Sequence, residues 1–268
     1  MKIFSRHLAQ MIMIIIITLP HMADAQQRYD FVFVGDSAEA SLLGLQQGLK
    51  EANLQGQFLG QEYHLDTYDS ASGIPATNEN LLAIFVASNA EELGAIQSSF
   101  PTYPVFNLVL EDDELRARCM PNVLHVIASN KMRQDAVQQW QQKNPASSVV
   151  AQTWHGDFVK FAARDLNKRY RKAFGIAMDD HAWAGWAAIK MSSDAIARNQ
   201  LDSAPALLTF LKNELAFDGQ KGINMNFRET GQLRQPMLIV EGSKLLGEAP
   251  VRGISSDIDS LGLKECVK

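Results

Sequence analysis

The chain has 268 residues, of which 46% are hydrophobic and 21% charged, and its formal net charge is −5. This composition is typical of folded proteins and excludes a disordered chain, a collagen-like repeat and a disulfide-dense miniprotein. The acidic balance argues against a nucleic-acid binder, which would normally present a strongly basic face.

The N-terminal segment has the pattern of a secretory signal peptide. Lys2 and Arg6 supply a basic start, residues 11–19 (MIMIIIITL) form an apolar stretch, and residues 23–25 (ADA) match an A-x-A cleavage site. An uncleaved anchor is the alternative, although this stretch is shorter than the roughly 20 apolar residues that a spanning helix needs. We predict cleavage after Ala25 and a periplasmic protein that does not span the membrane.

In chain order, the first half of the mature protein predicts alternating strands and helices. Helical spacing of apolar residues follows the first strand, and Ser88 and Asn89 can cap a helix that begins near Ala90. This alternation predicts an α/β fold with a doubly wound parallel sheet. The predicted strands are 29–35 (YDFVFVG), 61–68 (QEYHLDTY), 81–87 (LLAIFVA), 103–110 (YPVFNLVL) and 123–128 (VLHVIA).

The second half of the chain has a different pattern. One helix, 157–174, is amphipathic, with Phe161 on its predicted apolar face. Trp183 and Trp186 lie on a helix that is apolar on most sides, so we expect both in the core. The remaining predictions are helices at 131–143, 181–198 and 204–215 and strands at 148–154, 223–227 and 236–241.

The amphipathic helix also carries a basic stripe. Lys160, Arg164, Lys168 and Arg171 recur at helical spacing on the side opposite the apolar face. We expect a solvent-exposed face there.

The two cysteines of the chain are Cys119 and Cys266. Export places them in an oxidising compartment, where a disulfide between them is the simplest state. Two free thiols are the alternative, while the C-x-x-C spacing of thiol-redox proteins is absent from the sequence. We predict a bridge that pins the C-terminal tail.

One motif suggests catalysis. Residues 35–37 (GDS) resemble the opening block of GDS-type lipases and esterases, in which the serine, here Ser37, is the nucleophile. A serine nucleophile needs a base, and the family's D-x-x-H block has no counterpart because no histidine follows His181. The alternative is a turn in which Ser37 caps the first helix, so we predict a protein that is not an enzyme.

The sequence also lacks the usual signatures of metal and phosphate sites. The histidines are widely spaced, and there is neither a G-x-G-x-x-G loop nor a Walker lysine. We therefore predict no metal and no resident cofactor.

Trp154 and His155 end a predicted strand in the second half of the chain. In open α/β sheets, ligands bind at the carboxyl ends of strands. There an indole can stack on a flat ligand while an imidazole supplies a hydrogen bond. The alternative is a packed tryptophan beside a capping histidine.

The order of these elements resembles the type I periplasmic solute-binding proteins, the branched-chain amino-acid-binding group of ABC transporters. Residues 217–228 (FDGQKGINMNFR) are similar to the segment that ends those proteins. A narrower set of segments looks like the ABC-type substrate-binding proteins linked to pyrroloquinoline quinone-dependent alcohol dehydrogenase systems. These segments are 58–65 (FLGQEYHL), 119–125 (CMPNVLH), 166–175 (LNKRYRKAFG), 182–190 (AWAGWAAIK) and 227–236 (FRETGQLRQP).

The resemblance implies a periplasmic binding protein whose partner is an ABC permease or a periplasmic quinoprotein dehydrogenase. Members of that group are usually longer before the Trp-His block. The resemblance therefore implies a signal peptide at 1–25, a first lobe at 26–129 and a reduced second lobe at 130–268.

Pyrroloquinoline quinone, the ligand that the resemblance suggests, is planar and carries three carboxylates. It would require an aromatic face and guanidinium groups, since arginine binds carboxylates bidentately. A docking protein without a transported ligand is the second hypothesis, and a GDS-type hydrolase the third. The candidate ligand residues are Trp154, His155, Ser88, Asn107, Arg228 and Arg234.

Overall fold

The computed structural model describes residues 26–36, 39–75 and 78–267, so the predicted signal peptide and Ser37 lie outside the described residues. Within the described residues, no helix is both long and apolar enough to cross a bilayer. The strands are β1 (Gln27–Gly35), β2 (Gln61–Tyr68), β3 (Leu81–Ala87), β4 (Val105–Asn107), β5 (Val123–His125), β6 (Val150–Gln152), β7 (Met237–Glu241) and β8 (Lys244–Ala249). The α-helices are α1 (Ala40–Leu59), α2 (Ala90–Ser99), α3 (Asp113–Ala117), α4 (Asn130–Lys143), α5 (Ala163–Phe174), α6 (Asp180–Asn199) and α7 (Ala204–Asn213).

The first five strands form one parallel sheet in the order β2-β1-β3-β4-β5. Phe31 and Phe33 on β1 belong to the core under one face, while Val32 and Val34 belong to the core under the other. Burial on both faces is what a parallel sheet covered by helices requires. The prediction of a doubly wound parallel α/β sheet is therefore confirmed.

The second half of the chain returns to this sheet. Helix α6 crosses α1 so closely that a Cβ on Gly44 would lie 1.8 Å from the carbonyl oxygen of Ala182, and one on Gly185 would lie 2.1 Å from that of Ser41. Only glycine allows the two backbones to approach this far. The parallel sheet ends with β5 at His125, and the later helix α6 packs against this first part of the chain again.

The other sheet is small and antiparallel, in the order β6-β7-β8. It packs against α4 around a separate core that includes Met132, Ala136 and Ile239. The predicted strand at 223–227 is wrong, because only isolated bridges form there, from Met225 and Phe227. The hairpin strand β8 was not predicted.

Helix α5 begins later than its apolar pattern predicts. Asn167 donates hydrogen bonds to the carbonyl oxygens of His155 and Phe158, which holds the preceding residues in turns. Phe161 has a left-handed backbone (φ 53°) and is 61% exposed, so its place on the apolar face is wrong. By contrast, Trp183 and Trp186 are buried as predicted.

The predicted disulfide is confirmed. Cys119 and Cys266 are bonded, with their Cα atoms 5.7 Å apart and a sequence separation of 147. The adjacent Val267 N–H donates to the carbonyl oxygen of Ala117 on α3. The tail is therefore fixed to the parallel-sheet side of the molecule.

Candidate functional site

The two sheets meet at a half-buried ion-pair network centred on Arg133 of α4. Its Nη2 lies 2.6 Å from Glu111, which follows β4, and 2.8 Å from Asp180 at the start of α6. Its Nη1 donates to the carbonyl oxygen of Ala151 on β6. Burial alone would lower the pKa of Arg133, but Asp180 and Glu111 outweigh it and the pKa is raised, so one guanidinium holds three elements together.

A cavity of about 380 Å³ opens beside this network. It lies between the end of β6 and the beginning of α6, and His155 and His181 both line it. His181 Nδ1 is 3.9 Å from a carboxylate oxygen of Glu39, the residue before α1. Through His181 the cavity lies near Glu39 at the start of α1, on the side of the parallel sheet where β1 ends, and α/β folds bind ligands at that edge.

The polar groups at the cavity are oriented by the local backbone. His155 Nδ1 accepts the Asp157 N–H, so the neutral ring carries its proton on Nε2 and can donate from there. The Asp179 side chain caps α6 by accepting the Ala182 N–H. Met178 supplies an apolar part of the wall. The cavity wall thus combines groups that can form hydrogen bonds with an apolar side chain.

The Trp154 residue lines the cavity, but its indole is packed into the core. Trp154 is only 1% exposed, because the Trp183 ring stacks on its indole and the Phe158 ring packs edge-on against it. The centroids of the two indoles are 5.8 Å apart. The Trp154 Nε1 donates to Asn167 and the Trp154 backbone N–H to Asp180. The indole is thus packed as the alternative predicts, while Trp154 and the neighbouring His155 both line the cavity.

Asn107 is a buried structural residue at the end of β4. Its amide contacts His125 Nδ1 and accepts the N–H groups of Val109 and Leu110. Burial lowers the pKa of His125 well below its usual value, with the charge of Arg116 adding to the effect. Asn107 therefore uses its amide to hold the loop after β4. Another predicted ligand residue, Ser88, is half-buried and follows the end of β3.

Arg228 and Arg234 meet at one internal carboxylate. The Nε atom of Arg228 lies 2.6 Å from an Asp259 oxygen, and that of Arg234 lies 2.8 Å from the same atom. Arg228 is buried and also donates to the carbonyl oxygen of Leu263, while Arg234 also donates to Asn226. Asp259 therefore pairs with both of the arginines that were predicted to bind a ligand carboxylate.

Lys221 is a buried lysine that sequence reasoning missed. Its Nζ lies 4.0 Å from the centre of the Trp183 ring and donates to Gln235 Oε1 and the carbonyl oxygen of Pro236. Burial lowers the pKa of this amine to about 7, against the smaller opposing effect of Asp180. No sequence pattern distinguishes Lys221 from a surface lysine, since its burial depends on the segment that leads into β7.

Other candidate chemistry receives little support. Within 26–36, 39–75 and 78–267, no three His, Cys, Asp or Glu side chains form a group that could hold a metal ion. A second cavity of about 390 Å³, lined by residues such as Lys190 and Arg198, lies at the far end of α6. We favour the cavity at His155 as the candidate site because it lies near the carboxyl edge of the sheet.

No family model matches the sequence, and no curated protein matches it significantly. The fold is similar to solved structures of ABC transporter substrate-binding proteins. One is a branched-chain amino acid ABC transporter periplasmic ligand-binding protein from Burkholderia xenovorans, with 11% identity, 83% of this chain and 95% of that chain covered, and a TM-score of 0.67.

A substrate-binding protein from Desulfitobacterium hafniense in complex with Leu has 12% identity, covers 82% of this chain and 100% of its own, and gives a TM-score of 0.66. A branched-chain amino acid transporter substrate binding protein from Streptococcus pneumoniae, in complex with isoleucine, has 10% identity and a TM-score of 0.62, with 83% of this chain and 98% of that chain covered. At these identities the likeness concerns the fold, and the chain has the α/β fold of type I periplasmic binding proteins.

Proposed function

We propose that this chain is a non-enzymatic periplasmic solute-binding protein of an ABC-type transport system. The observation that carries the proposal is the cavity at His155 and His181, which lies near the carboxyl edge of a parallel sheet with the order β2-β1-β3-β4-β5. The fold neighbours are themselves ABC transporter substrate-binding proteins. The signal-peptide pattern of residues 1–25 supports a periplasmic location.

The cavity supports a small polar ligand. Its volume of about 380 Å³ falls in the lower part of the range of small-molecule pockets. Two imidazoles and the start of α6 offer hydrogen bonds, and Met178 offers apolar contact. A free amino acid is the ligand class that the solved leucine and isoleucine complexes of the fold neighbours suggest.

The link to pyrroloquinoline quinone-dependent alcohol oxidation is the finer part of the proposal and is supported by the sequence resemblance alone. The indole and the two guanidinium groups expected to hold the quinone already have partners within the protein. Trp183 covers the Trp154 ring, and Asp259 occupies Arg228 and Arg234. Among the predicted ligand residues, His155 lines the cavity and is the first candidate to contact pyrroloquinoline quinone.

The proposal is tested by thermal unfolding of the exported protein with a panel of leucine, isoleucine, other amino acids, small carboxylates and pyrroloquinoline quinone. A ligand that binds only the native state adds about 2.7 kcal/mol of stability at 100 times its dissociation constant, which raises the Tm measurably. We expect at least one saturable shift. A panel without any shift up to millimolar concentration contradicts solute binding.

One observation favours a second candidate function, a docking protein for a periplasmic dehydrogenase. The side chains of Trp154, Asn107, Arg228 and Arg234 all make internal contacts, so four of the six predicted ligand residues serve the fold. If no ligand of the panel raises the Tm and a dehydrogenase co-purifies with the protein from the periplasm, docking is favoured over transport.

A further inference from the structure

Helix α5 carries an unusual concentration of positive charge for an acidic protein. It has five basic residues and one acidic residue, Asp165, in a chain whose formal net charge is −5. Its buried side consists of Ala163, Leu166, Asn167 and Tyr170. The basic residues, all exposed, are Arg164, Lys168, Arg169, Arg171 and Lys172.

Most of these cations are not neutralised within the molecule. Arg169 pairs with Glu51 on α1, and Arg164 lies 3.6 Å from the exposed Asp165. In the described part of the chain, no carboxylate lies within ion-pair distance of Lys168 or Arg171. Arg164, Lys168 and Arg171 are spaced i, i+4 and i+7, so they form one stripe along the helix surface.

Exposed apolar side chains flank the same helix at both ends. Val159 and Phe161 precede α5 and are each 61% exposed, and Ile176 follows it and is 50% exposed. Phe161 is held outward by its left-handed backbone, and its ring packs over Gly222. A phenylalanine in this conformation is uncommon, and such conformations cluster at functional surfaces.

We propose that the α5 face, defined as α5 with Val159, Phe161 and Ile176, binds the surface of an anionic phospholipid membrane. Unpaired lysine and arginine side chains attract anionic headgroups, and apolar side chains beside them can enter the boundary of the acyl chains. The face is a convex helix with apolar residues at its ends, which suits a lipid surface better than the matched carboxylates of an acidic protein. Such binding would keep the protein at the membrane in which its permease resides.

The test is co-sedimentation of the exported protein with vesicles of phosphatidylcholine, with and without about 30% phosphatidylglycerol. We expect binding only to the anionic vesicles, and weaker binding at high salt because the charges are exposed. The triple variant Arg164→Glu, Lys168→Glu and Arg171→Glu should lower the partition constant roughly 100-fold. A matched triple variant, Arg118→Glu, Lys244→Glu and Arg252→Glu, makes the same charge change on exposed residues elsewhere and should retain at least a tenth of the wild-type partition constant.

Two results would overturn the proposal. If the wild type does not sediment with anionic vesicles, the face is not a lipid-binding surface, and an acidic protein becomes its candidate partner. If the matched triple variant loses as much binding as the α5 variant, binding to the vesicles depends on the net charge of the protein and not on the α5 face. A double variant, Val159→Ser and Phe161→Ser, should weaken binding several-fold, and unchanged binding would contradict a role for the apolar ends.

Discussion

Within the parallel sheet, neighbouring strands bury aromatic and branched side chains on both faces, as Phe85 and Ile84 do on β3. The antiparallel sheet has a smaller core, and it meets the parallel sheet through the ion pairs and the backbone hydrogen bond of Arg133. Apolar burial is non-directional, while ion pairs and hydrogen bonds require specific geometry. The difference indicates that the parallel sheet is the scaffold and the polar junction positions the cavity.

Among the changes considered, loss of the disulfide should lower the free energy of unfolding most, because the bridge ties the C-terminal tail to α3 beside the parallel sheet. The double variant Cys119→Ala and Cys266→Ala should lose about 3–5 kcal/mol of unfolding free energy, since the bridge closes a very long loop in the unfolded chain. Urea unfolding measures the loss. Adding dithiothreitol to the wild type should reproduce it and leave the variant unchanged, and equal stability of the two oxidised proteins would contradict the account.

Arg133→Met tests whether the junction depends on its ion pairs. The substitution keeps apolar contact but leaves Glu111 and Asp180 without their partner, which should cost about 3 kcal/mol. Lys131→Met is the matched control, since it breaks a more exposed pair with Asp135 and should cost at most about 1 kcal/mol. Similar losses for the two variants in urea unfolding would show that the network at Arg133 is no stronger than a surface pair.

Lys221 should make stability depend on pH in a defined window. Its pKa is about 7 in the folded protein and 10.5 in the unfolded chain, so between these values the unfolded state binds more protons and stability rises with pH. Lys221→Met lacks this dependence. Between about pH 7.5 and 9.5 the wild type should gain about 2 kcal/mol relative to the variant.

Urea unfolding at both pH values measures the difference, with the exposed Lys244→Met as control. We expect the control to follow the wild type. Parallel profiles for the wild type and Lys221→Met would mean that the amine is charged in the folded protein.

The sequence predicts the scaffold better than the site for a physical reason. Strands such as β1 and β3 are continuous apolar runs, and their burial follows from local composition. The surroundings of Trp154 depend on Trp183, a distant residue in the sequence, so position at a strand end could not show that the ring is covered. His181 was missed as a cavity residue for the same reason, since only the fold brings it beside His155.

The central claim, that the cavity at the junction binds a solute, is tested most directly by calorimetric titration of the ligand that raises the Tm in the panel. The proteins to compare are the wild type, His155→Ala and His64→Ala, because His64 is a half-exposed histidine on β2. Loss of one hydrogen bond at the cavity should weaken binding about tenfold in His155→Ala, while His64→Ala binds like the wild type. Equal affinity in all three proteins would contradict the assignment of the site.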